Sequence, residues 1–271
     1  MRRLFGVLTV LPLLAASLLP GACTPAGGGT ASPALRRGVP GFDTLEYPGD
    51  TAMAVWRRES PYRWVGYYLD APCRPASTWT GKRATLAAQG WGLAVLYVGE
   101  QQWADTTSYT PTAGERLLCS RANLTAAQGA ADAADAIRVA QAEGFPAGTR
   151  IYLNVERVDS VGAGLADYVR AWMRALLDAG TYRPGLYAHD ANATALYALL
   201  MRDFTARGAG TGPAVWVARS GNFDLNAAPR ESGHPYARVW QGRFNVDESW
   251  GDTRIRIDAN VADSPSPSSP E

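Results

Sequence analysis

The run Arg150-Ile151-Tyr152-Leu153-Asn154-Val155-Glu156 alternates aliphatic side chains with aromatic or polar ones at period two, the mark of a β-strand whose faces differ. Ile151, Leu153 and Val155 share one face, and Tyr152, Asn154 and Glu156 the other. With the aliphatic face packed against helices, the polar face looks into a barrel and Glu156 arrives at the strand's C-terminal end. A carboxylate held there is costly unless it is paired or used. Glu156 therefore reads either as a functional acid or as the ion-pair partner of Arg157 or another arginine.

Similar runs recur along the chain, most of them followed by alanine-rich stretches with helical spacing. Strands are expected at Gly41 to Thr44, Trp64 to Asp70, Leu93 to Gly99, Arg150 to Glu156, Gly185 to His189, Val215 to Arg219, Val239 to Gln241 and Ile255 to Val261. Helices are expected at Thr51 to Arg58, near Gly81 to Gln89, from a cap at Asn123 or Thr125 to a stop at Gly144, from Leu165 to Leu177 ending near Gly180, and from Ala191 to Ala206. Eight strands in this order predict an α/β fold, a (β/α)8 TIM barrel that is irregular in its last quarter. A doubly wound sheet is the competing architecture, but no GxGxxG follows an early strand and no GxxxxGK[ST] occurs.

The ends of the chain change the picture of where it works. Residues 1–22 carry Arg2 and Arg3, an apolar run from Leu4 to Leu19 and small residues before Cys23, which reads as an export signal peptide. The sequence before Cys23 is similar to a bacterial lipobox, although Pro20 stands where leucine is preferred. Lipidation at Cys23 and free secretion are the two outcomes, and Arg2-Arg3 leaves Sec and twin-arginine export both open. Residues 23–38 read as a tether, 39–262 as the barrel and 263–271 as a disordered Pro/Ser tail. The membrane is expected as a partner only through the lipid anchor.

Three cysteines fit an oxidising compartment, since lipidation of Cys23 leaves Cys73 and Cys119 as an even pair expected to form a disulfide. Without the signal's two arginines, 24 basic residues face 25 acidic ones, which gives no electrostatic footprint for nucleic acid. Two histidines and no CxxC or HExxH supply no metal site, and no cofactor is expected. No GxSxG marks a serine nucleophile either.

Barrel chemistry gathers at strand C-termini. The residues that close the runs here include Asp43, Asp70, Asn154, Glu156, His189, Asp258 and Asn260. Tyr68, Tyr97, Tyr187, Trp216, Trp240 and Gln241 are candidates to line the same mouth. Acids beside aromatic platforms suit a carbohydrate, whose rings stack on aromatic faces while carboxyls serve the glycosidic oxygen.

Gly41-Phe42-Asp43-Thr44, Trp64-Val65-Gly66-Tyr67-Tyr68, Asn154-Val155-Glu156, Pro184-Gly185-Leu186-Tyr187, Val215-Trp216-Val217-Ala218-Arg219, Val239-Trp240-Gln241 and Ile257-Asp258-Ala259-Asn260 together resemble the glycoside-hydrolase-like barrels of the domain of unknown function 1906 family. More distantly they resemble family twenty-five lysozymes, which are N-acetylmuramidases. The resemblance implies a cleft at the strand C-termini, with Glu156 on the catalytic proton donor, Asp43 on a first-strand aspartate and Asp258 on a last-strand aspartate beside the Trp-Gln pair. Asn154 departs from the family pattern, where an aspartate begins a DxE motif. An amide there can hydrogen-bond an N-acetyl group but brings no negative charge to an oxocarbenium-like transition state. Two functions follow: a monomeric, exported hydrolase of peptidoglycan or another cell-envelope glycan, and a barrel that binds such a glycan without cleaving it.

Overall fold

The computed structural model describes residues 37–103, 119–208 and 212–270. Within them eight strands close into one barrel in chain order. These are β1 (Val39–Asp43), β2 (Trp64–Tyr68), β3 (Gly92–Tyr97), β4 (Arg150–Val155), β5 (Arg183–His189), β6 (Ala214–Ala218), β7 (Ala237–Trp250) and β8 (Thr253–Ala262). Helices α1 (Asp50–Glu59), α2 (Arg83–Ala88), α3 (Ala126–Ala142), α4 (Ala163–Ala179) and α5 (Asp190–Ala206) connect the first six strands. Local signals set their ends. The Thr125 side chain accepts a hydrogen bond from the Gln128 amide to open α3, and Gly180, left-handed at φ 69°, ends α4.

Strand alternation divides the apolar residues into two layers. Ile151, Leu153 and Val155 pack outward against the helices. Inside the barrel Trp216 makes edge contacts with Trp64, Tyr152 and Tyr187 at centroid distances of 5.5, 5.8 and 5.5 Å. Such large rings fit only because facing positions have no side chain. A Cβ at Gly41 would stand 2.1 Å from the Trp64 ring, and one at Gly185 2.6 Å from Tyr152.

The last quarter is irregular in a specific way. Only a short 310 turn (Pro229–Ser232) separates β6 from β7, and β8 runs antiparallel to both β7 and β1. Beyond the barrel wall β7 and β8 continue as a two-stranded arm, paired from Val246↔Ile257 to Trp250↔Thr253. The sequence pattern predicts β7 only over Val239 to Gln241, whereas the strand runs on to Trp250 with ladder irregularities between Gln241 and Val246. In the reversed β8, Asp258 sits opposite Asp43 near the strand's entry to the barrel wall, so it reaches the mouth without lying at a C-terminal end.

The Pro/Ser segment expected to be a disordered tail is instead packed across the N-terminal ends of the strands. β3 and β4 pair only from Val95↔Ile151 onward, which leaves the start of β3 open. Ser266 Oγ and Ser268 Oγ accept from the amides of Leu93 and Val95 at 3.2 and 2.8 Å. Ser268 also donates its amide to Leu93 O and accepts from the Arg150 amide, at 3.0 and 2.8 Å. Composition favoured disorder, but these backbone groups need partners and serine supplies them.

Cys73 and Cys119 are bridged, with Cα atoms 5.0 Å apart. The loop closed between them spans 46 positions, which by chain entropy stabilises the fold by about 4 kcal/mol. The expected signal peptide at residues 1–22, Cys23 and all but the last two residues of the expected tether lie outside the described residues.

Candidate active site

The strand C-termini open into a cleft of about 920 Å³. Its floor holds Asp43, Asn154, Glu156, Tyr187, Gln241 and Asp258; one wall is the loop from Thr44 to Pro48, and the other is the β7–β8 arm. A smaller cavity of about 400 Å³, lined by Arg150, Tyr197, Tyr236 and Arg238 among others, shares none of the cleft's lining.

Period two in β4 turns Asn154 and Glu156 inward together, and Asn154 Nδ2 donates to Glu156 Oε1 at 2.9 Å. The backbone around them is clamped by Gln101, which follows β3, and by Asn192 in the first turn of α5. Gln101 donates to Asn154 O at 2.8 Å and accepts from the Glu156 amide at 3.2 Å, while Asn192 Nδ2 donates to Glu156 O at 3.2 Å. Burial raises the Glu156 carboxyl above the ordinary glutamate range; the Asn154 hydrogen bond opposes this and the charge of Asp258 adds to it. Among the described residues no arginine pairs with Glu156, and the nearby Arg157 faces Asp159 at 4.0 Å.

The second group is built on β1 and β8. Asp43 accepts from Tyr68 OH at 2.7 Å, from Asn260 Nδ2 at 2.7 Å and from Gln241 Nε2 at 3.4 Å. Trp216 Nε1 can only donate, and it donates to Asn260 Oδ1 at 3.0 Å, so the amide nitrogen of Asn260 must face Asp43. Asp258 accepts from Gln241 Nε2 and from the Asn245 amide, both at 2.5 Å. Burial pushes both aspartates upward, and repulsion from Asp258 adds strongly for Asp43. Two acids sharing one hydrogen-bond network, with Gln241 donating to each, cannot both ionise easily.

His189 also lines the cleft. Its Nδ1 accepts from the Ala191 amide at the start of α5, which suits a neutral ring, and burial followed by the charge of Arg157 lowers its affinity for a proton. Among the described residues no group of three or more His, Cys, Asp or Glu side chains is placed to hold a metal ion.

Three of the aromatic candidates lie elsewhere. Tyr97 points outward between barrel and helices, donating to Asp135 Oδ2 at 3.1 Å. Trp240 also turns outward, donating to Arg219 O at 2.8 Å and packing on Phe223. Trp216 is inward but fully buried one layer below the floor. Tyr68, Tyr187 and Gln241 do line the cleft. Asp70 accepts from the Ser77 amide and so shapes a loop. Gln101, Asn192 and Asn245 were not legible as site residues, since their contacts join segments far apart in the chain. The arm did leave a signal: Gly251-Asp252 between alternating runs is a hairpin cue.

Comparison with known proteins agrees with this architecture. Among solved structures, an uncharacterized B. stearothermophilus protein is 22% identical with a TM-score of 0.54, over 83% of this chain and 96% of its own. The spore cortex lytic enzyme SleM of Clostridium perfringens is 13% identical with a TM-score of 0.54, over 83% of this chain and 67% of its own. The modular autolysin LytC of Streptococcus pneumoniae is 15% identical with a TM-score of 0.54, over 82% of this chain and 46% of its own. No curated protein matches. At these identities the likeness shows the barrel fold. The family model of the Rv2525c-like, glycoside hydrolase-like domain matches residues 54–262, and the chain belongs to that family.

Proposed function

We propose that the protein is an exported glycoside hydrolase acting on peptidoglycan or another cell-envelope glycan, with Glu156 as the general acid. The observation that carries this reading is the state of Glu156: a carboxyl at the cleft floor, raised by burial, held by an amide and, among the described residues, paired with no arginine. A carboxyl in that state keeps its proton nearer neutrality and can pass it to a glycosidic oxygen as the bond to the sugar breaks. Asn154 orients Glu156 and offers its amide to an N-acetyl group. Asp258, less buried than Asp43 and hydrogen-bonded by two donors, supplies the negative charge facing the developing cation.

The chemistry of the fold's relatives supports the substrate class. SleM is a spore cortex lytic enzyme, and LytC is an autolysin also solved with a synthetic peptidoglycan ligand. The basic, apolar and small-residue order of the first 22 residues supports export, with anchoring through Cys23 where lipidation occurs. The decisive experiment is digestion of purified cell wall by the mature protein, followed by assay of new reducing ends. Their release supports the hydrolase, and intact glycan overturns it.

One observation favours a second reading, glycan binding without cleavage. Asn154 places an amide where a second acid would assist charge development, and its NH2 group is already engaged by Glu156. Binding to cell wall with no new reducing ends is the outcome that supports it.

A further inference from the structure

The β8 wall of the cleft carries a cation, Arg256, whose charge acts on Asp258 but whose guanidinium, among the described residues, makes no hydrogen bond and no ion pair. Arg254, Arg256, Asp258 and Asn260 alternate onto one face of β8, while Ile255, Ile257 and Ala259 pack outward into the core. Asp247 lies directly across the ladder from Arg256, yet its carboxylate is engaged by Arg254 at 3.0 Å. The exposed Arg256 side chain lines the cleft two positions above Asp258, about 7 Å along the strand.

Nearby acids are already served. Asp258 takes two donors, from Asn245 and Gln241. Glu46, on the facing wall, accepts from Arg74 at 2.7 Å and from Thr78 at 2.9 Å. A guanidinium with its planar fork of donors unused, on the wall of a cleft with an acidic floor, matches a carboxylate brought by the ligand. Such a group also offsets the repulsion an acidic ligand would meet from Asp258 and Glu156.

We propose that the cleft selects glycan chains bearing a free carboxylate on the sugar beside the one that meets Glu156, and that Arg256 binds this carboxylate. The inference rests on the glycan reading above and narrows it. Muramyl units with an uncapped lactyl acid are held, and units whose acid is closed as an amide are held less well.

The test is calorimetric titration of the mature chain carrying Glu156→Gln, so that nothing is cleaved, with three oligosaccharides of equal length. These are a muramyl oligosaccharide with free lactyl acids, its methylamide and a neutral chito-oligosaccharide. The acid should bind roughly tenfold more tightly than the methylamide, the size of one charge-assisted hydrogen bond at an exposed site. Adding Arg256→Gln should erase that preference, and Arg256→Lys should keep part of it. Equal binding of acid and methylamide, or a preference that survives Arg256→Gln, overturns the inference alone. Binding none of the three overturns the glycan reading as well.

Discussion

The two ends of the barrel meet the same demand, satisfying polar groups enclosed by strands, by opposite means. At the mouth the inward side chains are acids and amides: Asp43 and Asp258 share one hydrogen-bond network through Gln241, and Glu156 is held beside them by Asn154. At the other end the barrel holds Trp64, Tyr152 and Trp216, and the open backbone of β3 is satisfied by Ser266 and Ser268. One end keeps buried acids beside an open cleft, and the other is filled by rings and closed by neutral serine and backbone groups. The mouth is therefore suited to chemistry at some expense to stability, while the closed end serves stability alone.

The sharpest test of that division is Glu156→Gln. The substitution keeps shape and much of the hydrogen bonding but removes the transferable proton, so hydrolysis should fall by roughly 100-fold or more while the unfolding midpoint barely moves. A fall in stability without a fall in rate would place Glu156 with the structural groups. The complementary change is deletion of residues 264–271 at the closed end. Four backbone groups of β3 and β4 then lose their partners, and thermal unfolding should show a loss of about 2–4 kcal/mol with little change in rate at low temperature. Unchanged stability would show that water serves these groups equally well.

A third test uses pH. Asp43, Asp258 and Glu156 all hold their protons more tightly in the fold than in the unfolded chain. Their contribution is present in full below the unfolded-state values and is lost as pH rises through the folded-state values. Stability from this source should therefore decline from about pH 4 upward, and Asp43→Asn should flatten the decline, stabilising the protein at neutral pH by about 1–2 kcal/mol. Denaturant titrations at several pH values decide this, and a decline as steep in the variant would assign it to other groups.

The smallest expected effect is that of Asn154→Asp. A second carboxyl beside Glu156 raises its proton affinity further, so the limb on which activity is lost with rising pH should move to higher pH. A pH–rate profile, or the Glu156 carboxyl carbon followed by NMR, measures it; an unmoved limb would mean the two side chains do not interact as Nδ2 and Oε1 do here.

The legibility of these features in the sequence follows from the range of the forces behind them. The two faces of β4 were plain because alternation is local, and so were the α3 cap at Thr125 and the glycine that ends α4. Parity in β3 was hidden, since Gly92–Tyr97 is apolar on both faces and only its register with β4 turns Leu96 inward and Tyr97 out. Trp240 and Gln241 are adjacent, so alternation allowed only one of them at the mouth. The packed 263–270 segment and the Gln101 clamp depend on contacts with distant backbone, which no local pattern records.

The pairing of β1 with β8 has a consequence for how the chain matures. Asn260 reaches Asp43 across 217 positions, and β1 gains its second neighbour only when β8 arrives. Synthesised from its N-terminus, the chain keeps its first strand as an open edge through the making of nearly every other element. A polypeptide in that condition cannot assemble the Asp43 network or close its barrel until almost the whole chain has been made.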